Sequence, residues 1–463
     1  MTIDLRDHAL ADLATMVRRR DVSATELTEA ALARIDDVDP TLNAWASLDA
    51  EGALDQARRI DDRLARGADP GPLAGVPLGV KDLEDAAGFT TGYGSALHAG
   101  DPPTDTDSIQ VARLRAAGCV VVGKTTTSEF GYAGDTVTPR WGATRNPWDP
   151  ARSSGGSSGG SATALASGMV ALATGSDAGG SIRIPAALCG LTGLKTTHGV
   201  VPLGGGVPPS GGTLTVRGPM ARTAADTALA LAVAAGPDPT DCFSLAPLAF
   251  GAPLQARLPE RVVWAPAPGF PVDAEVARVC GAAVAGLAAA GVDVIEVDRL
   301  FRSEPIGDWF TLWAAYRERA HGHLRGTDVW EQFDVGLRGL MDHGRDHVDM
   351  RSAMLALDAV HHHTADVAAQ LGRAPFVLTP TVAGRTALSG GQGTVDGEAS
   401  IFWAPFTQAA NLTRHPAGSV NVGFTADGMP VGLQVLADHR RDVEVLEVLA
   451  AVEELVGPTA WPG

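Results

Sequence analysis

Lysine is the scarcest charged residue in this chain: Lys81, Lys124 and Lys195 are the only three, against 36 lysines and arginines together. Cysteine is nearly as rare. Cys119, Cys189, Cys242 and Cys280 show no Cys-x-x-Cys spacing, which argues against both a zinc ribbon and a disulfide framework. Positive charge is outweighed, with a net charge of −18 at pH 7 and a sequence pI near 5.0. The clustered cations on which nucleic-acid binding rests are therefore missing. Long apolar runs are absent too: none reaches the ~18 residues of a membrane span, and the opening MTIDLRDHALADL lacks an apolar core of signal-peptide length. These absences lead us to expect a cytoplasmic protein that binds neither nucleic acid nor membrane.

Against this background, 463 residues that are 45% hydrophobic can bury a large core. Most of the chemistry is concentrated between Ser153 and Lys195. Two glycine-bracketed serine clusters, Gly155-Gly156-Ser157-Ser158-Gly159-Gly160 and Asp177-Ala178-Gly179-Gly180-Ser181, flank one short helix and one strand. Glycine weakens regular structure, so this density points to backbone N–H groups brought close to an anion, either bound or transient. No Gly-Lys follows either cluster, which excludes a P-loop. Gly155-x-Ser157-x-Gly159 fits a nucleophile elbow formally, but a polar loop precedes it where that motif needs an apolar strand. A serine nucleophile in the second cluster, with a partner from the first, is the remaining reading.

A serine hydroxyl needs a neighbouring base. Lysine can serve if burial lowers its pKa, whereas arginine cannot be deprotonated. The stretch Gly71–Asp82 is punctuated by glycine and proline and uncharged until Lys81, which predicts a strand ending in an interior loop. Ser23-Ala-Thr-Glu26 is a capping box, and Asp39-Pro40 is expected to end the helix it opens. Further on, Cys119–Lys124, Met169–Thr174, Arg261–Trp264 and Val292–Val297 read as strands. Asp105–Gly118, Ser161–Ser167, Thr223–Ala235 and Ala274–Ala290 read as helices, an α/β alternation.

The pattern GGSSGGS…GSDAGGSIRIPAALCG…GLK, with Ser157 and Ser181 24 positions apart, resembles the amidase signature family. GVPLGVKD around Lys81, GPMART at 218–223, LTPT at 378–381 and DGMPVGLQ at 427–434 are similar to that family's other landmarks, so the likeness covers nearly the whole chain. The resemblance implies a single α/β domain over 1–463 with a large mixed β-sheet covered by helices on both faces. Within it, 1–70 would be a helical scaffold, 71–235 the signature core and 300–400 a variable section forming the substrate pocket.

The resemblance further implies Ser181 as nucleophile, Ser157 as a bridging serine after a cis peptide at Gly156, and Lys81 as base. The N–H groups of Ala178, Gly179, Gly180 and Ser181 would form the oxyanion hole, with Ser158, Asp177 and Arg183 in support. No cofactor or metal is implied. Candidate pocket residues are Gly131, Trp309, Trp313, Phe402, Trp403 and Phe406. The helically spaced Trp309, Trp313 and Tyr316 fit either a plain core or a pocket wall. His343 with His347, and His361-His362-His363, have metal-pair spacing but read as polar helix faces. His321, His323 and His415 have no acidic partner at a suggestive spacing.

The activity implied is hydrolysis of a small, hydrophobic or aryl amide through an acyl-serine. Carbamate, anilide and ester hydrolysis by the same groups stay open, as does the amidase subunit of a tRNA-dependent amidotransferase. His198 stands where the family more often has tyrosine, which weighs against that last alternative. A homodimer is compatible with all of these.

Overall fold

The computed structural model describes residues 3–206, 208–250 and 253–462. Two hydrogen-bonded sheets carry the architecture. The first has five strands in the order Trp45–Leu48, Val120–Thr125, Pro77–Lys81, Leu172–Asp177 and Val216–Met220. The middle three run parallel, and both outer strands pair antiparallel. The second has six, in the order Asp293–Glu296, Arg261–Trp264, Phe376–Pro380, Pro430–Ala437, Ala417–Phe424 and Gly193–Lys195. An isolated antiparallel bridge between Thr192 and Ala221 joins the two, so the mixed sheet expected from the sequence is made of two parts.

The parallel strands open on apolar residues buried on both faces, with Val120, Val121 and Val122 fully buried, as are Leu78 and Val80, and turn polar only toward their C-terminal ends. In the antiparallel pair Ala417–Phe424 and Pro430–Ala437 the two faces divide with period two. Val420, Leu433 and Val435 pack with Val445 and Leu449 of the helix Asp442–Val456. The alternate residues Ser419, Gly432 and Gln434 face the helix Arg183–Cys189: a side chain at Gly432 would meet Ala187, and Gln434 hydrogen-bonds Arg183. Helices thus cover both faces, and the interior-facing glutamine already points toward the serine loops.

The capping box is present: Ser23 Oγ accepts from the N–H of Glu26, and the Glu26 carboxylate accepts from the Ser23 N–H. The helix runs from Ala24 to Leu42, past the expected stop at Pro40. Proline removes only one donor in the last turn, and closure comes from left-handed Asn43 at φ 56°, whose N–H bonds the Asp39 carbonyl. Among the strands, Leu172–Asp177 begins three residues later than expected and runs through Ser176 and Asp177. Residues 300–400 fold mainly into the helices Ile306–His321, Val335–His347 and Met350–Leu371, and only the first reaches the serine cavity.

Candidate active site

Parallel pairing brings the serine region to Lys81. Leu78 and Gly79 pair with Leu172 and Ala173, so both strands end on the same edge, where α/β sheets bind ligands. Lys81 closes one strand. Asp177 closes its neighbour and opens the second serine loop.

Lys81 is fully buried. Its Nζ lies 2.8 Å from Ser157 Oγ, 2.7 Å from Ser158 Oγ and 3.0 Å from Ser176 Oγ. Burial pushes its pKa from 10.5 to about 7; the Arg317 charge adds to the fall, while Glu84 and Asp177 oppose it. A lysine half-neutral near physiological pH, in contact with a buried serine hydroxyl, can accept a proton. The Gly156–Ser157 peptide is cis, and a Cβ at Gly156 would meet the Asp135 backbone at 2.7 Å, so only glycine fits. The two serine loops are tied by the Ser158 N–H, which donates to the Ser181 carbonyl at 3.2 Å.

Ser157 and Ser181 line one cavity of about 900 Å³, together with Gly131, Phe130, Trp313 and Arg317. Gly131 comes close to Ser157: a Cβ there would lie 3.1 Å from its Oγ. Trp313 is buried, and the Arg317 guanidinium stacks 3.9 Å from its ring. Arg317 Nη1 donates to the Phe130 carbonyl and to Ser210 Oγ, both at 2.8 Å. Its buried Nε has no partner among the described residues. Burial works against this charge, yet among the described residues no carboxylate makes a salt bridge with it.

The second loop is held from outside. Three successive carbonyls, those of Asp177, Ala178 and Gly179, accept from Asn411 Nδ2 (2.9 Å), Trp309 Nε1 (2.8 Å) and Thr407 Oγ1 (2.6 Å). In a trans peptide the following N–H points the opposite way from its carbonyl. These clamps therefore turn the N–H groups of Ala178, Gly179 and Gly180 away from the clamping side chains. One expectation is corrected here: the Gly180 N–H is not free, because the Asp177 carboxylate reaches across the turn and accepts from it at 2.7 Å. The N–H groups of Ala178, Gly179 and Ser181 find no acceptor among the described residues, leaving three donors of the four expected.

Asp177 and Arg183 are fully buried and paired at 2.9 Å. Burial opposes the carboxylate's charge, but the Arg183 guanidinium overcomes it and holds the pKa well below the usual range. Arg183 also donates to Gln434 Oε1 (2.7 Å) and Asn411 Oδ1 (2.6 Å). Lys124 and Lys195, the other two lysines, are buried away from the serines. Lys124 Nζ donates to the Glu84 carbonyl and Lys195 Nζ to that of Thr196.

Four pocket candidates lie elsewhere than expected. Trp309 stacks on Trp313 at 5.4 Å behind the loop, where a Cβ on Gly179 would strike its ring. Phe402 is partly exposed and packs on Phe270; Trp403 packs with Ile184 and Leu188; Phe406 lines a separate cavity of about 40 Å³. None of the three lines the serine cavity, and of them Trp403 packs on the helix Arg183–Cys189. Sequence reasoning missed Thr407, Asn411 and Gln434 as supports of the serine loop. The landmark DGMPVGLQ ended on Gln434 without indicating its role.

Comparison with known proteins agrees with this geometry. Residues 26–446 match the Amidase family. The chain is 35% identical to an acylamidase of Rhodococcus erythropolis over 96% of its length and 94% of the relative's. It is 36% identical to a component of the glutamyl-tRNA(Gln) amidotransferase of Salinispora arenicola, over 99% of both. Among solved structures, a bacterial aryl acylamidase of the amidase signature enzymes superposes with a TM-score of 0.89 at 26% identity, covering 97% of this chain and 96% of that one. A 6-aminohexanoate cyclic dimer hydrolase in complex with substrate gives 0.85 at 30% identity, over 98% of each. The fold, the span of the match and these relatives together make the chain a member of the amidase signature family, an amidase-family hydrolase acting on C–N bonds.

Proposed function

We propose that the chain hydrolyses a small amide bearing an aryl or other apolar group, through an acyl-Ser181 intermediate. The observation that carries this reading is the buried Lys81 amine, depressed to about 7 and 2.8 Å from Ser157 Oγ, in a site that also holds Ser181 and three unpaired N–H groups. Neutral Lys81 takes the Ser157 proton as Ser157 takes that of Ser181, and Ser181 Oγ bonds to the carbonyl carbon. The oxyanion is received by the N–H groups of Ala178, Gly179 and Ser181, each such donor contributing about 3 kcal/mol to the transition state. Collapse breaks the C–N bond, and the proton held on Lys81 returns through Ser157 to the leaving amine. Water then releases the acid by the same relay.

The apolar wall of Phe130, Tyr93 and Trp313 suits an aryl or alkyl group, and Arg317 offers a cation to an acceptor on the substrate. Carbamates, anilides and esters present the same carbonyl. A second reading, glutamine hydrolysis within an amidotransferase, is favoured by the charges of both signs in the cavity, Asp85, Asp107, Arg217 and Arg317, which match a zwitterionic amide. The test is turnover of an aliphatic amide, an aryl anilide, an aryl carbamate and glutamine by purified wild type and Ser181→Ala. Wild-type-only release of the aryl amine is expected. Turnover of glutamine alone would favour the second reading, and equal turnover by Ser181→Ala would remove the assignment.

A further inference from the structure

The strands Ala417–Phe424 and Pro430–Ala437 pair antiparallel with Ala417 opposite Leu436, and the ladder extends one step further as the Ala437 N–H donates to the Pro416 carbonyl. The next step sets His415 opposite Asp438, with His439 beside it. Sequence spacing offered His415 no acidic partner; the hairpin register supplies one. One ligand atom from each of these three side chains lies within 4.8 Å of the others.

The hydrogen bonds fix which imidazole nitrogens are free. His439 Nε2 lies 2.9 Å from the Thr413 carbonyl, which only accepts, so Nε2 carries the proton and the neutral ring leaves Nδ1 as a lone pair. His415 Nδ1 lies 2.9 Å from Thr413 Oγ1, and that hydroxyl already donates to the Ala409 carbonyl at 2.8 Å. It must therefore accept from His415 Nδ1–H, which leaves Nε2 as the second lone pair. Both face Asp438 Oδ1, at 3.9 Å from His415 Nε2 and 3.5 Å from His439 Nδ1. Asp438 Oδ1 accepts from the backbone N–H of His439 at 2.7 Å. Among the described residues no side chain donates to Asp438 Oδ1.

Three acceptors lie close together here, the two imidazole rings 3.8 Å apart between centroids, and a cation among them would relieve their repulsion. From this we infer that His415, Asp438 and His439 form a site for a borderline divalent metal ion of the zinc type, with water in the fourth position. Two imidazoles and a carboxylate are ligands that zinc takes, at ~2.0–2.2 Å. Tetrahedral ligands at that distance are about 3.3 Å apart, so these two separations need to close by less than about 1 Å, while the imidazole rings, 3.8 Å apart, must splay for both nitrogens to point at one ion. Each imidazole gives its other N–H to an oxygen, the outer contact that orients metal-bound histidines. His415 is 1% exposed, whereas the side chains of His439 and Asp438 are 38% and 66% exposed, so one ligand is anchored and two open to solvent. The other His/Asp cluster, Asp308 with His362 and His363, differs: His363 Nε2 already pairs with Asp308 at 2.8 Å.

The ion would clip the segment after the helix Gln408–Leu412 to the turn before Asp442–Val456. The experiment is calorimetric titration of tag-free, chelator-treated full-length protein with zinc and with cobalt(II), alongside thermal melts. One equivalent should bind, with a rise in Tm of a few degrees. His439→Ala and Asp438→Asn, at exposed positions that leave the fold intact, should each weaken binding tenfold or more and abolish the Tm rise, while His362→Ala changes neither. Absence of binding to wild type, unchanged binding in His439→Ala and Asp438→Asn, or loss of binding in His362→Ala would each overturn the site.

Discussion

At the scale of single residues, the account turns on Lys81. An unfolded lysine holds its proton to pH 10.5, the folded one only to about 7, so between those values unfolding takes up a proton and stability rises with pH. At neutral pH this burial costs several kcal/mol, since each pKa unit is about 1.4 kcal/mol. Lys81→Met should therefore be inactive yet melt several degrees higher near pH 7, a gain that shrinks toward pH 10; calorimetric melts across that range check it. Activity requires the neutral amine, so kcat/KM should rise with pH about an apparent pKa near 7. Lys81→Arg should be as inactive as Lys81→Ala, because a guanidinium retains its proton. The scarcity of lysine made Lys81 conspicuous in the sequence. The fall of its pKa was not legible there, because it depends on burial contributed by several separate elements.

At the scale of elements, the serine loop takes its shape from side chains on distant segments. Trp309→Phe keeps a ring but loses the bond to the Ala178 carbonyl, and Thr407→Val loses the bond to that of Gly179. Each should lower kcat by about tenfold, roughly the worth of one net hydrogen bond, with KM nearly unchanged. A change in KM alone would make Trp309 a pocket wall instead. The glycine-serine clusters, the capping box at Ser23 and the strand Arg261–Trp264 were legible because local propensity and tertiary context agree there. Phe402 and Trp403 were misplaced because an aromatic run specifies burial without saying against which neighbour. Gly180 was counted as a free donor because the backbone alone does not reveal that the Asp177 side chain folds back onto it.

At the scale of the molecule, Arg183 links the two sheets. Asp177 ends a strand of the first, Gln434 lies within the second, and Asn411 completes the set. Removing one member of a buried ion pair leaves the other uncompensated at a cost of about 3–5 kcal/mol. Arg183→Met should accordingly lower Tm by several degrees and abolish turnover together, as read by melts and kinetics on the same preparation. The whole-chain match to the amidase family was legible because its motifs recur from Lys81 to Gln434; the charged lining of the cavity was not, since Arg317 carries no motif. The most direct test of the central claim is intact-protein mass spectrometry after reaction with a fluorophosphonate. Wild type should gain one adduct, mapped to Ser181, while Ser181→Ala gains none and Lys81→Ala reacts far more slowly. An unlabelled wild type, or an adduct retained in Ser181→Ala, would contradict the account.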